Sequence, residues 1–340
     1  ATADFNHAIG ETSAFRINVM AQDSGVPGRD EVKNKRWGIA PALAFGLGTP
    51  TRVYLDYLHV KQDNVPDGYV PTVGLPGFSS PDPARPWLSD APKVDSSNFY
   101  GTDADHDDQT IDMATVRVEH DFENGLRLQN TTRWGRNTQD YLLTSFRGTD
   151  ADLATPDQDD PSTWTIARGL PTFKDQQNTI LTSQTNFGFH SGKAGGVQND
   201  LSAGVEITRE KLESHALAAL DGTAWPAANL YDPDPHATGL VWGRNGAHAE
   251  AQTDTVAMYA FDTMHFNDRW QANAGVRFDR YRTDLDAMVL CGSRNAPACD
   301  ALPANTPVPN DARARDTLFS WNIGVLYKPA PNGSIYANYA

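Results

Sequence analysis

The alternation of apolar and polar positions is sharpest between Thr253 and Asp286. Trp270, Ala272, Ala274, Val276 and Phe278 fall on one face, and Gln271, Asn273, Gly275, Arg277 and Asp279 on the other. Side chains alternate across a sheet, so this run predicts a strand with one apolar and one polar face. The run before it, Thr255 to Phe266, puts Tyr259 and Phe261 on one face and Met258 and Ala260 on the other, which leaves its buried face open. Asn267-Asp268 between the two predicts a tight hairpin turn.

The same period predicts strands over residues 2–8, 14–22, 32–45, 51–62, 111–122, 126–146, 177–190, 200–212, 317–328 and 334–340. Pro41 inside the third suggests a bulge or weakened pairing. The connections alternate short and long, the long ones being 23–31, 63–109, 147–176, 213–251 and 287–316. In an up-and-down antiparallel sheet this sorting places every short turn at one end and every long loop at the other. Outer-membrane barrels have that layout, with short periplasmic turns and long extracellular loops. A soluble sandwich has no reason to sort its loops so. Loops beyond about 15 residues are uncommon unless functional or disordered. Aromatic residues near the strand ends fit interface girdles, and a strand as long as 126–146 fits a wall that projects beyond a bilayer. The alternation does not say which face points inward.

Composition narrows this reading. The chain has 340 residues, with 28 Lys plus Arg against 43 Asp plus Glu and a formal charge of −15, which argues against a nucleic-acid partner. No run approaches the roughly 18 apolar residues of a membrane helix, an exclusion that does not reach strands hiding apolar residues at every second position. Cys291 and Cys299, close together, predict a local disulfide and an oxidising compartment; no other ligand lies near enough in sequence to suggest a metal site. The chain starts without methionine or a signal peptide, so its start reads as processed or cut. No H-E-x-x-H, phosphate loop or nucleophile elbow is present, which argues against an enzyme. His59 and His120 read as wall residues.

The run MYAFDTMHFNDRWQANAGVRFDRY resembles the barrel hairpin of TonB-dependent outer-membrane receptors, through Asp262, the Asn267-Asp268 turn, and Gly275, Arg277 and Asp279. The first 48 residues and the closing SWNIGVLYKPAPNGSIYANYA are similar to that family as well. YLHVKQDNVPDGYVP, Tyr57 to Pro71, is similar to its catecholate siderophore branch. The resemblance implies an all-β, antiparallel up-and-down transmembrane β-barrel of roughly 22 strands. About a dozen of those strands are expected here, without the plug domain, its coupling box or a terminal aromatic strand. The chain is thus expected to be an internal barrel piece with two open sheet edges, a pairing hazard.

The implied function is energised uptake of ferric siderophores across the outer membrane of a Gram-negative bacterium, with the TonB energy-transducing complex acting through the plug. A ferric catecholate is anionic and flat-ringed, so Arg would neutralise it and Trp or Tyr would stack on it. Tyr69, Arg85, Trp87, Tyr100, Arg147, Trp164 and Arg168 are the candidates in the first long loops, with loop packing or a girdle as the plainer role of each. The acidic runs Asp103, Asp105, His106, Asp107, Asp108 and Asp157, Asp159, Asp160 offer oxygens for Ca2+ or for divalent bridges to lipopolysaccharide, against the plainer reading of solvated loops. Two competing readings are a passive porin or channel, and a soluble carbohydrate-binding β-protein.

Overall fold

A computed structural model of the chain describes residues 1–148, 150–192, 196–293, 299 and 302–340. The first strands are β1 (Thr2–Ala8), β2 (Ser13–Gly25), β3 (Lys33–Phe45), β4 (Thr51–Asn64), β5 (His106–Asp121) and β6 (Leu126–Leu143). Two short strands follow, β7 (Leu153–Ala154) and β8 (Thr165–Ile166), then β9 (Thr172–Ser191), β10 (Gln198–Ala219) and the short β11 (Ala228–Asn229). The chain continues with β12 (Trp242–His265), β13 (Trp270–Leu290), β14 (Pro307–Pro309), β15 (Ala312–Ala330) and β16 (Gly333–Tyr339). One thirteen-stranded sheet runs β1-β2-β3-β4-β5-β6-β9-β10-β12-β13-β15-β16, with β14 added beside β13. Every neighbour is antiparallel and next in the chain, apart from the three short strands, which form a separate sheet in the order β11-β8-β7. This is the up-and-down wall of a barrel.

The Asn267-Asp268 turn has a local cause. Asn267 Oδ1 accepts from the backbone N–H groups of Arg269 (2.9 Å) and Trp270 (3.0 Å), which bends the chain back on itself. The strand that follows is held in register from Trp270↔Tyr327 to Leu285↔Ala312. Gly275 has a packing reason: a Cβ there would lie 2.2 Å from the ring of Phe261, which covers it. Pro41 stays in register with Ile17, so there is no bulge. Its cost falls on the other side, where the β3–β4 ladder skips from Ile39↔His59 to Ala42↔Asp56.

The ladder settles the faces. Following partners across the sheet from Phe278 gives Met258, Val205, Thr185, Asn130 and Val118 on one side, and Phe319 on the other. This face carries an exposed apolar belt: Val19, Leu55, Val116, Leu181, Val205, Met258, Val276, Phe278 and Ile323. Met258, 60% exposed, lies on it, and Tyr259 lies on the opposite face, its ring beside the Arg277 guanidinium. Along β13 the belt runs from Trp270 to Phe278. That is about 27 Å along the strand and about 21 Å upright at a tilt of about 40°, close to the roughly 25 Å apolar band of an outer-membrane barrel. Aromatic pairs mark its edges, Trp270–Tyr327 (centroids 4.4 Å) at the turn side and Phe278–Phe319 (4.6 Å) at the loop side. Asp262, in register with Leu201 and Ala274, is one carboxylate on this face, and Asp112, in register with His59, is another.

The opposite face is polar and ion-paired. Arg52 meets Glu119 (3.1 Å) and Asp121 (2.8 Å), Arg127 meets Asp121 (2.7 Å), and Arg277 meets Asp279 (2.8 Å). A β-protein folded in water would bury the first face and expose the second. The reverse arrangement removes the soluble carbohydrate-binding reading, because only lipid is a good solvent for such a belt. No helix among the described residues is long and apolar enough to cross a membrane.

Most strands run further into the long connections than periodicity predicts, while β6, expected over 126–146, stops short at Leu143. The segment expected as a loop over 213–251 is strand up to Ala219 and again from Trp242. The connections 63–109, 147–176 and 287–316 shorten to 65–105, 144–171 and 291–311, the last interrupted by β14. The physical reason is that the loop-side halves of the strands have two wet faces, so apolar alternation fades there while backbone pairing continues. Residues 193–195 of the predicted turn at 192–196, and 294–298, 300 and 301 of the cysteine loop, lie outside the described residues.

Candidate functional site

The three longest connections do not splay apart. Val73, Leu88, Val94 and Tyr100 from 65–105, Trp164 and Ile166 from 144–171, and Ala228 and Leu230 from 220–241 form one buried cluster. Phe78, Trp87, Phe146, Leu153 and Tyr231 pack around it. Trp164 lies 5.2 Å from Trp87 and 6.1 Å from Tyr231, ring centroid to centroid. The small β11-β8-β7 sheet crosses between the second and third of these loops. Together they make a cap with a core of its own at the loop end of the wall.

Arg168 ties the cap together. Buried, it donates to the carbonyls of Tyr100 (3.0 Å), Pro226 (3.3 Å) and Asp234 (2.5 Å), one in the first loop and two in the third. Burial draws its guanidinium down from the usual arginine range, against the pull of Asp234 and Asp105. Tyr100 is wholly buried and its hydroxyl donates to the Leu230 carbonyl (2.5 Å); burial raises that phenol and pushes Tyr231 up to about 12. Trp164 Nε1 donates to the Asp157 carbonyl at 2.7 Å. Asp105, also buried, accepts from the N–H of Thr144 (2.7 Å) and the hydroxyl of Thr102 (3.1 Å), and burial raises its carboxyl.

Three of the residues expected to meet ligand are instead buried among the loops in this structure. Tyr100, Trp164 and Arg168 have almost no exposed surface and hold the loops to one another. Arg85 is engaged as well, with Asp82 (2.6 Å) and the Leu153 carbonyl (2.6 Å), and it holds the Asp82 carboxyl below the usual range. Trp87 is half-buried against Trp164. The two remaining candidates are displayed. Arg147 is exposed and makes no side-chain ion pair or hydrogen bond among the described residues. It borders a cleft of about 160 Å³ with Val73, Phe78, Arg85 and Phe146.

Tyr69 is 75% exposed and sits at φ +66°. A tyrosine in the left-handed region is strained, and such strain persists only where the surroundings enforce it. Here Asp67 Oδ1 accepts from the Tyr69 N–H (2.9 Å), and Asp67 is clamped by Arg29 Nε (2.9 Å) and a second guanidinium nitrogen (2.7 Å). Arg29 reaches from the connection 26–32, where the sequence offers no signal beyond a loop arginine. Tyr141 and Lys174 were also not foreseen. They sit at the loop ends of β6 and β9, facing each other across the polar face, with the ammonium 5.9 Å from the ring centroid.

The acidic runs go to separate partners. Asp103 pairs with His236 (2.7 Å), Asp107 accepts from Gln139 (2.8 Å), and Asp160 caps the turn at Pro161–Thr163. Among the described residues no three carboxylate, His or Cys groups converge on one point. Cys291 and Cys299 are joined in a disulfide, with Cα atoms 5.7 Å apart. His59 is a wall residue bonded to Asp112 (2.8 Å), as His120 is to Thr51 (2.7 Å).

Residues 37–340 match the family described as TonB dependent receptor-like, beta-barrel. The chain is 46% identical over 347 residues to the catecholate siderophore receptor Fiu of Escherichia coli strain UTI89, covering all of this chain and 44% of that protein. It is 34% identical to the probable TonB-dependent receptor BfrD of Bordetella pertussis, covering 99% of this chain and 44% of that one. The crystal structure of the ferric-catecholate import receptor Fiu from E. coli K12, in its open form, superposes with a TM-score of 0.87 at 44% identity, over 99% of this chain and 51% of that one. The chain spans less than half the length of these curated relatives.

Proposed function

Because the chain belongs to the TonB-dependent receptor β-barrel family, we propose that it supplies wall and ligand-gathering loops to a receptor that takes up ferric catecholates across the outer membrane. The observation that carries this is the cap. A wall that needed only to conduct would have no use for a structured core on its loops, and this one displays Tyr69 and Arg147 above it. The ring of Tyr69 offers a face for a catechol, and the guanidinium of Arg147 offers charge for the anionic iron centre. Tyr141 and Lys174 offer the same pair of chemistries lower on the polar face. Energy from the inner membrane would act through a plug seated against the polar, ion-paired face. In this reading the protein is a receptor and carries out no covalent chemistry.

The test is binding and iron uptake by the intact receptor. A ferric complex of a dihydroxybenzoyl ligand should bind, and Tyr69→Ala with Arg147→Gln should weaken it by about tenfold or more. Uptake should stop when the proton gradient is collapsed. Binding of a ferric hydroxamate or a cobalamin in preference to the catecholate would overturn the substrate class. Conductance that persists without an energy source would favour the passive channel.

A further inference from the structure

Two histidines stand directly opposite each other on the outward face, well past the apolar belt. The ladder pairs His215 of β10 with His248 of β12. Their rings lie 6.1 Å apart, centroid to centroid, with 40° between their planes. Alternation from the exposed Ile207 and Val256 puts both on the belt face. They stand about 27 Å further along the strands, about 20 Å upright at the same tilt. Just past the pair the ladder skips from His215↔His248 to Leu217↔Arg244, so β12 bulges there. Inside the bulge Asn245 Oδ1 accepts from the Ala247 N–H (3.0 Å), and Gly246, at φ +92°, presents its carbonyl to His248 Nδ1 (3.2 Å). A carbonyl only accepts, so Nδ1 carries the proton and Nε2 of His248 keeps its lone pair. His215 makes no hydrogen bond among the described residues. The charged neighbours on this face pair among themselves. Glu213 and Glu250, one row toward the belt, share Lys211 (2.7 and 2.8 Å), with Asp286 opposite Glu250. Asp175, beside His215 in its own row, takes Arg244 (2.7 Å), with Asp140 opposite Asp175. Carboxylates thus outnumber cations around the pair.

Rings at this separation can share one metal ion. An ion about 2.0–2.1 Å from a nitrogen of each ring stands about 3.2 Å from each centroid, so the two centroids can lie up to about 6.4 Å apart. A metal-bound histidine ordinarily donates its other ring N–H to a carbonyl or carboxylate, as His248 does to Gly246. Carboxylate and water suit Mg2+ and Ca2+, whereas imidazole suits Zn2+, Ni2+ and Cu2+, and affinity within that series peaks at Cu2+. We propose that His215 and His248 bind a divalent first-row transition ion, Cu2+ ahead of Zn2+, on the outward face, with His248 ligating through Nε2. Among the described residues no third His, Cys or carboxylate converges on the pair, so the other positions are open to water. Met288, next to His248 in the same row, offers a thioether for a softer ion. Neither histidine belongs to the buried cluster of the cap, and the site does not depend on the identity of the iron chelate.

The test titrates the intact, tag-free receptor in detergent micelles with Cu2+ and follows the bound ion by electron paramagnetic resonance. The spectrum should show coupling to imidazole nitrogen, with Zn2+ competing for the ion's place and Ca2+ failing to. His215→Asn and His248→Asn should each weaken binding by at least about tenfold, with heat-modifiable migration and ferric-chelate binding unchanged. His120→Asn, at the turn end of the wall, should bind Cu2+ as the unaltered receptor does. Undiminished Cu2+ affinity in either His215→Asn or His248→Asn would overturn the proposal. So would an equal loss in His120→Asn, or displacement of the ion by Ca2+, which would assign it to carboxylates.

Discussion

The wall and the cap are built by the same chain to opposite rules. In the wall the large apolar residues face out and the ionised ones face in, paired across strands as in Arg52–Glu119 and Arg127–Asp121. In the cap Trp164, Tyr100, Leu88 and Leu230 are buried, Tyr100 and Arg168 donate to carbonyls of another loop, and Trp164 donates to a carbonyl of its own. Among the described residues the non-glycine positions with positive φ, Glu31, Tyr69, Asp221 and Asn305, all lie in connections and none in the strands. Each region is correct for its solvent. The wall satisfies its backbone between strands because lipid offers no hydrogen bonds. The cap stands in water and needs a hydrophobic core of the ordinary kind.

The two should therefore fail separately, and the largest effect should come from the cap core. Trp164→Ala removes the ring that joins Trp87 and Tyr231, at a cost of roughly 3–5 kcal/mol. Hydrogen exchange should speed up over 65–105, 144–171 and 220–241, with protection in β5, β6, β9 and β10 retained and migration of the intact receptor still heat-modifiable. Loss of the whole barrel would show that cap and wall are one cooperative unit.

The converse substitution strikes the wall. Val276→Arg puts a charge among Trp321, Ala260 and lipid, which should cost roughly 2–4 kcal/mol if the site lies near the midplane. Asn273→Arg, on the opposite face of the same strand, should cost far less. Refolding into lipid vesicles across a urea series reads both. Equal costs would mean that the belt is not the lipid face.

The wall was far more legible in sequence than the cap. Strict alternation from Trp270 to Asp279, and the Asn267 side chain that bends the turn, are local signals, and the structure follows them. Where Glu213, Ser214 and His215 meet Glu250, Ala249 and His248 in register, both faces are wet, and the chain reads as loop although it is paired. The cap hides for a different reason. Tyr100, Trp164 and Arg168 have the chemistry of a catecholate site, and the same chemistry makes a good loop anchor; only burial tells display from packing. Tyr69 is displayed because an unusual backbone holds it outward. Arg29, which clamps the Asp67 beneath it, and the Tyr141–Lys174 pair lie far from their partners in sequence.

A smaller effect separates covalent from non-covalent loops. The connection 291–311 is not part of the buried cluster and is closed by Cys291–Cys299, eight residues apart. Cys291→Ser should loosen this segment by roughly 2–3 kcal/mol, read as faster exchange at Leu302 and Thr306. The cap should be unaffected. A change in its protection would show that this loop leans on it.

The finest distinction is how the cap's outer contacts respond to pH. His236, in the third loop, bonds through Nδ1 to Asp103 in the first (2.7 Å), and the Asp103 N–H donates to the Pro235 carbonyl (2.9 Å). The Asp103 carboxylate raises the imidazole above its ordinary value, and Asp234 and Glu31 act in the same direction. A raised histidine stabilises the folded contact below its unfolded value of about 6.5, and that contribution is lost as pH rises through the folded value. The contact is fully exposed, so solvent and salt screen it and the effect should be the smallest of the four. Exchange protection near Asp103 and His236 should fall as pH rises from about 6 to 8, less so in high salt. His236→Asn should flatten that step while leaving the buried cluster around Trp164 untouched. A step that survives the substitution would belong to a group inside the cap, and the division between a pH-sensitive rim and an insensitive core would then be lost.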